Sequence, residues 1–151
     1  MSIRYFALVL GIMFLLVGVA GFIPGLVQQH SMDDHALVVT GPGTGYLMGL
    51  FHVNVLHNVI HLLFGIWGIL AYSSFDASRV YARGVAIIYG LFVIMGLIPV
   101  LNTVFGLVPI HGHDVWLHAL IALVSAYFGW ATVSAPVATA GPTTTTEDFR
   151  P

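Results

Sequence analysis

The stretch YFALVLGIMFLLVGVAGFIPGL at residues 5–26 decides the fold class of this chain. It contains no Asp, Glu, Lys or Arg. A helix needs roughly 20 apolar residues to cross the hydrocarbon core of a bilayer, whereas buried strands are much shorter. The uninterrupted apolar run therefore predicts a membrane-spanning helix.

The composition of the whole chain supports the same interpretation. Of its 151 residues, 58% are hydrophobic and only 7% are charged, whereas a soluble domain carries about 25% charged residues. We therefore expect an integral membrane protein whose main partner is the lipid bilayer. A formal net charge of −2 without a basic cluster argues against nucleic-acid binding. The absence of cysteine excludes disulfides and thiolate metal sites.

Four segments are apolar enough and long enough to cross a bilayer. The short segments of alternating polarity that characterise a β-barrel are missing from the sequence. The pattern predicts an all-α, four-helix transmembrane bundle in residues 1–134. A Pro/Thr/Ala-rich tail at 135–151 is predicted to be disordered. The predicted spans lie at about 5–26, 46–72, 84–104 and 114–132.

The arginines predict the orientation of the bundle. Arg4 precedes the first span, Arg79 and Arg83 lie between the second and third, and Arg150 lies in the tail. The other two connections contain no Lys or Arg. The positive-inside rule therefore places both termini in the cytoplasm.

The bundle is predicted to consist of two similar helical hairpins. The sequence GFIP at 21–24 matches GLIP at 96–99, an offset of 75 residues. The second and fourth spans carry polar pairs at 57 and 61 and at 114 and 118, an offset of 57. Two hairpins of the same orientation are related by a pseudo-two-fold axis along the membrane normal. We expect this axis to bring the second and fourth spans together.

The second span has one polar face. At 100° per residue, Asn54, His57, Asn58 and His61 fall on one arc, whereas His52 points the opposite way. Polar side chains in hydrocarbon are costly, and ionisable ones are candidates for function. We expect the two asparagines to fix the tautomers of the imidazoles as outer partners of a metal site.

The polar pairs of both spans predict a transition-metal site in the outer half of the bundle. Residues at i and i+4 lie one turn apart on one helix face, so both side chains of a pair can reach one ion. Imidazole and carboxylate ligands suit zinc, and copper and iron also accept imidazole. Whether such an ion would be catalytic, transported or structural stays open, and with it whether the protein is an enzyme. The predicted ligands are His57, His61, Asp114 and His118.

Three alternatives use the same residues. In the first, His61 and His118 ligate haem b in an electron-transfer subunit, with Gly65 and Gly68 making room for the macrocycle. In the second, the polar seam only specifies helix packing in a non-catalytic accessory subunit. In the third, the seam conducts a proton or solute. A homo-oligomer or a larger membrane complex is compatible with each.

The first outer loop adds polar residues that could deliver a metal to the seam or form a solvated loop. These residues are His30, Asp33, Asp34 and His35.

Two motifs carry a family resemblance. VNVLHNVIHL at 53–62, followed by Gly65 and Gly68, and DVWLH at 114–118 resemble the signature of a small four-span bacterial family, domain-of-unknown-function family 4383. The resemblance covers residues 3–133 and implies a four-helix bundle in a bacterial cytoplasmic membrane. It implies no activity. The residues that carry it are Asn54, His57, Asn58, His61, Asp114 and His118.

Overall fold

The structure is a computed structural model that describes residues 2–28 and 42–131. The predicted disordered tail at 135–151 and the polar residues of the first outer loop lie outside the described residues. The described chain is mostly helical. Its helices are α1 (Ile3–Ala20), α2 (Val55–Ala71), α3 (Phe75–Leu97) and α4 (His113–Ala126), which continues into a π-helical turn at Tyr127–Ala131.

Three helical segments in the described part of the chain are long and apolar enough to cross a membrane. α2 is also apolar but has only 17 residues, about 26 Å of helix. The predicted all-α class and the membrane character are confirmed by this arrangement. The three long segments are Ile3–Ala20, Phe75–Leu97 and His113–Ala131.

The helix boundaries differ from the predicted spans. The helix expected within 46–72 begins only at Val55, because Asn54 caps it: the Asn54 side chain accepts a hydrogen bond from the His57 backbone at 2.8 Å. α3 begins at Phe75 rather than near 84, because Ser74 caps it: the Ser74 hydroxyl accepts a hydrogen bond from the Ala77 backbone at 3.1 Å. It ends at Leu97, before the proline at 99.

Residues before α2 form a small antiparallel sheet instead of helix. The order is β1 (Val27–Gln28), β2 (Gly45–Leu47) and β3 (Phe51–Val53). The turn between β2 and β3 contains two positive φ angles, 53° at Met48 and 73° at Gly49. A helix cannot continue through such residues. The sheet covers the end of the bundle where α2 and α4 begin.

Close packing joins α1 to α2 and α3 to α4, so that each predicted hairpin is a packed pair. A Cβ added at Gly11 would lie 2.9 Å from the Gly65 carbonyl oxygen, so this glycine lets the two backbones approach closely. Between the hairpins, α1 also contacts α3. Many apolar side chains face outward, including Leu16 (65% exposed) and Leu123 (71% exposed), as expected of a surface in contact with lipid.

The internal repeat extends to side-chain contacts at the end of the bundle where α1 and α3 begin. Arg4 Nε donates to the Tyr72 carbonyl at 2.8 Å, and Arg79 Nε donates to the Gly129 carbonyl at 3.3 Å. These two contacts are related by the same offsets of 75 and 57 residues that relate the sequence motifs.

A second pair of equivalent contacts lies towards the opposite end of the bundle. The Phe14 ring stacks on the His61 ring at 5.7 Å, and the Tyr89 ring contacts the His118 ring at 4.9 Å. The equivalent residues Phe14 and Tyr89 also contact each other, with ring centroids 5.4 Å apart. The two hairpins therefore share internal contacts, and their pseudo-two-fold axis runs near these two aromatic rings.

Candidate functional site

Three of the predicted histidines line one cavity near the end of the bundle where α2 and α4 begin. The cavity has a volume of about 50 Å³, enough for a few water molecules. His57 and His61 reach it from the first turns of α2, and His118 reaches it from α4. The other lining residues are apolar or aromatic: Ile60, Tyr89, Phe92, Val104, Val108 and Ile110.

The distances between the imidazoles can be compared with those of two histidines that share a metal ion. The ring centroids of His57 and His61 are 4.5 Å apart, and those of His57 and His118 are 6.4 Å apart. Two imidazoles on one tetrahedral zinc ion have centroids about 5 Å apart, since each Zn–N bond is about 2.0–2.1 Å. The observed distances lie on either side of this value. Among the described residues, however, no group of three or more His, Asp or Glu forms a ready metal site.

The ring of His57 is oriented by the backbone of β3. Its Nδ1 lies 3.3 Å from the carbonyl oxygen of His52. A carbonyl only accepts, so Nδ1–H is the donor and Nε2 keeps the lone pair that could bind a metal. The sequence predicts that the side chains of Asn54 and Asn58 fix the tautomers of the imidazoles, whereas for His57 a backbone carbonyl does so.

The other two imidazoles are incompletely bonded. His61 is 8% exposed and His118 is 2% exposed. The Nδ1 atom of each is buried and has no hydrogen-bond partner among the described residues. Buried polar atoms are nearly always satisfied, so such atoms indicate a water, an ion or a functional constraint.

Asp114 lies at the start of α4 and is also buried. Its carboxyl group accepts a hydrogen bond from the backbone of His52. Its second oxygen, Oδ2, is buried without a partner in the described part of the chain. The same β3 residue therefore contacts both hairpins, at His57 through its carbonyl and at Asp114 through its amide.

The two asparagines do not contact the imidazoles as predicted. Besides capping α2, Asn54 donates from Nδ2 to the Leu107 carbonyl at 2.7 Å. Asn58 donates from Nδ2 to the Gly21 carbonyl at 2.7 Å. Both amides thus tie α2 to neighbouring backbone, because carbonyls at helix ends and in loops need donors.

His52 was predicted to point away from the site, and its ring does not line the cavity, but the reasoning behind this prediction is wrong. The helical projection does not apply, because His52 belongs to β3 and not to α2. Its Nδ1 lies 3.2 Å from Nε2 of His111, and its ring stacks on Tyr46 at 4.9 Å. The N-cap signature of Asn54 was the signal that could have corrected the boundary.

A family model described as Domain of unknown function (DUF4383) matches residues 4–131. The chain belongs to this family. The match includes all four helices and every residue of the cavity. Comparison with curated proteins found no match, and comparison with solved structures found none. Membership in DUF4383 therefore agrees with the resemblance carried by the two motifs and adds no activity to it.

In this DUF4383 protein, the glycines proposed to make room for a haem contact α1 instead. A Cβ at Gly65 would lie 2.6 Å from Leu15, and one at Gly68 would lie 2.8 Å from the carbonyl oxygen of Ala7. The space beside both glycines is therefore filled by the neighbouring helix. The glycines serve helix packing.

Proposed function

We propose that this protein binds a transition-metal ion in the cavity between its two hairpins, through His57, His61 and His118. The observation that carries the proposal is that imidazoles from both hairpins line one small, buried cavity. Imidazole donors suit zinc, copper and iron. The cavity is large enough for an ion and a bound water.

Charge balance assigns Asp114 to the same site. An uncompensated divalent ion in a low-dielectric interior is costly, and a nearby carboxylate reduces that cost. The free Oδ2 of Asp114 is available as the fourth ligand or as a hydrogen-bond acceptor for a metal-bound water.

Orientation follows from the three arginines at the opposite end of the bundle. Arg4, Arg79 and Arg83 lie at the starts of α1 and α3, whereas the cavity lies where α2 and α4 begin. With four spans in a bacterial cytoplasmic membrane, the positive-inside rule places the metal site in the outer half.

A purely structural polar seam is the competing function. The amide hydrogen bonds of Asn54 and Asn58 to backbone carbonyls favour it. A structural network is expected to satisfy its own members, yet the ring nitrogens of His61 and His118 stay unpartnered among the described residues. A bound ion or ordered water accounts for that pattern better.

Elemental analysis and an absorption spectrum of the protein, purified without a histidine tag, test the proposal. We expect near-stoichiometric metal without a Soret band, and a Soret band would favour the haem alternative. The free energy of zinc binding at structural sites with four ligands is about 10–16 kcal/mol, or roughly 3 kcal/mol for each ligand. Loss of one ligand in His118→Ala should therefore weaken metal affinity on the order of 100-fold.

His113→Ala is the matched control for this variant. It removes an exposed histidine from the first turn of the same helix and should leave metal affinity unchanged in calorimetric titration. Equal affinities of the two variants, or no binding after re-addition of zinc, copper and iron, would refute the metal site and favour the structural seam.

A further inference from the structure

Two guanidinium groups at the inner end of the bundle share one carbonyl oxygen. Arg83 Nε donates to the Gly129 carbonyl at 2.9 Å, and Arg79 Nε donates to the same oxygen at 3.3 Å. The two arginines are one helical turn apart on α3, and both are only partly exposed. A Cβ at Gly129 would lie 2.9 Å from Arg83 Cγ, so this glycine lets the arginine cross the π-helical turn.

These two positive charges have no ionic partner in the described part of the chain. Asp76, one turn earlier on α3, forms no ion pair with either arginine. Each guanidinium carries five N–H donors, and the shared carbonyl takes only the Nε donor of each. Like charges held side by side repel each other. The remaining donors and the uncompensated charge fit a phosphate oxygen group, which guanidinium binds in a bidentate manner.

The surroundings of the pair are those of a membrane interface. The Arg83 guanidinium lies over the Trp130 ring at 5.3 Å, and the Arg79 guanidinium lies near the Phe75 ring at 5.9 Å. Trp130 is 51% exposed. Tryptophan side chains are enriched at the level of the lipid headgroups. A phosphate bound here would therefore be at the depth of a phospholipid headgroup.

The internal repeat shows that the pair is more than helix capping. Arg4 in the first hairpin is equivalent to Arg79, and it caps α2 through the Tyr72 carbonyl. The position equivalent to Arg83 in the first hairpin is Leu8. One arginine, Arg4, is enough for capping in the first hairpin. The additional arginine of the second hairpin, Arg83, therefore needs a separate explanation.

We propose that Arg79 and Arg83 bind the phosphodiester headgroup of an anionic phospholipid, with the Trp130 ring against the adjacent lipid. The shared chemistry is a phosphate, and a soluble phosphate could in principle use the same donors. The position beside exposed apolar helix surface favours the lipid.

Native mass spectrometry of the detergent-solubilised protein, titrated with phosphatidylglycerol and phosphatidylcholine of equal chain length, tests the proposal. We expect a clear preference for phosphatidylglycerol. A basic residue near the surface contributes about a fivefold preference for anionic lipid. Arg83→Gln should therefore lower the preference at least fivefold, and Arg4→Gln, the matched control in the first hairpin, should lower it less, because in the described part of the chain Arg4 has no second guanidinium beside it with which to hold a phosphate.

Two further arms complete the test. Inorganic phosphate at millimolar concentration should not displace the lipid, and displacement would show a soluble-anion site instead. Arg83→Lys keeps the charge but cannot bond the carbonyl and a phosphate in the same planar manner, so it should show a partial loss and serves if Arg83→Gln does not fold. An unchanged preference in both Arg83 variants, or equal losses at Arg4 and Arg83, would overturn the proposal.

Discussion

The glycine at the centre of the α1–α2 contact gives a sharp prediction about packing. An ideal Cβ at Gly11 would lie 2.9 Å from the carbonyl oxygen of Gly65 and 2.9 Å from the amide nitrogen of Ile69. Favourable contacts between such atoms need about 3.5–4.0 Å. Because the obstructing atoms belong to the backbone, Gly11→Ala requires α1 and α2 to separate by about half an ångström.

Gly90 provides the matched control within the same fold. It lies in the interior of α3, and a Cβ there would meet nothing within 4 Å. Replacement of either glycine by alanine gains helix propensity of about 1 kcal/mol. This gain is common to both variants, so the difference between them isolates the packing cost.

We expect the free energy of unfolding of Gly11→Ala to be lower than that of Gly90→Ala by about 1–3 kcal/mol, the usual cost of overpacking. Gly90→Ala should equal or slightly exceed the wild type. Far-ultraviolet circular dichroism during titration of mixed micelles with dodecyl sulfate measures the difference. If Gly11→Ala is as stable as Gly90→Ala, the conclusion that the backbones of α1 and α2 are in close contact at Gly11 is refuted.

Three further predictions concern the outer end of the bundle and use the same denaturation assay. Gly21→Ala places a Cβ against the Asn58 amide and breaks the 2.7 Å bond of that amide to the residue 21 carbonyl. The free energy of unfolding should therefore fall by about 1–3 kcal/mol. Gly25→Ala is the control, because a Cβ there meets open space, and it should change the free energy of unfolding by less than about 0.5 kcal/mol. Asn54→Ala should lower the free energy of unfolding by about 1–2 kcal/mol. Asn54→Ser should lower it less, because serine restores the cap although it loses the bond to the Leu107 carbonyl. Equal losses would mean that the cap is unimportant. Phe105 is 75% exposed with φ 57°, so Phe105→Gly should stabilise the protein by about 1 kcal/mol, and a lower stability would contradict the left-handed conformation.

The helical class was predictable because the bilayer leaves few options. In lipid, every backbone polar group must be satisfied within the spanning element, so a long apolar run becomes a helix. The internal repeat was predictable because matched motifs such as 21–24 and 96–99 recur at a fixed offset and lie at equivalent helix ends. The side-chain contacts that repeat between the hairpins, such as those of Arg4 and Arg79 with backbone carbonyls, could not be predicted from the sequence.

The sheet before α2 could not be predicted from hydropathy. Phe51 and Val53 are as apolar as the residues of a spanning helix, and the strands are only two or three residues long. Their pairing depends on β1, which is distant in sequence. The mistaken placement of His52 on the second helix followed directly from this. A helical projection gives a direction only to residues that are in the helix.

The functions of the asparagines were mistaken for a related reason. An amide can bond an imidazole or a carbonyl equally well, and spacing within α2 does not decide which. The carbonyl partners of Asn54 and Asn58 are on Leu107 and Gly21, far away in the sequence. That His57 and His61 share one face of α2 could be predicted from their helical spacing alone, but the hydrogen-bond partners of the asparagines could not.

The pseudo-two-fold relation explains how two imidazoles reach one cavity, and the differences between the hairpins indicate its chemistry. His61 and His118 occupy equivalent positions, and one repeated aromatic contact, from Phe14 and from Tyr89, packs against both rings. His57 and Asp114 are also equivalent, but one is a neutral donor and the other a carboxylate. Two carboxylates would repel each other in a low-dielectric interior, whereas two histidines would leave a divalent ion without a counter-charge. The proposed metal site therefore predicts that Asp114→His weakens binding of divalent ions, measured by calorimetric titration, far more than it disturbs the fold.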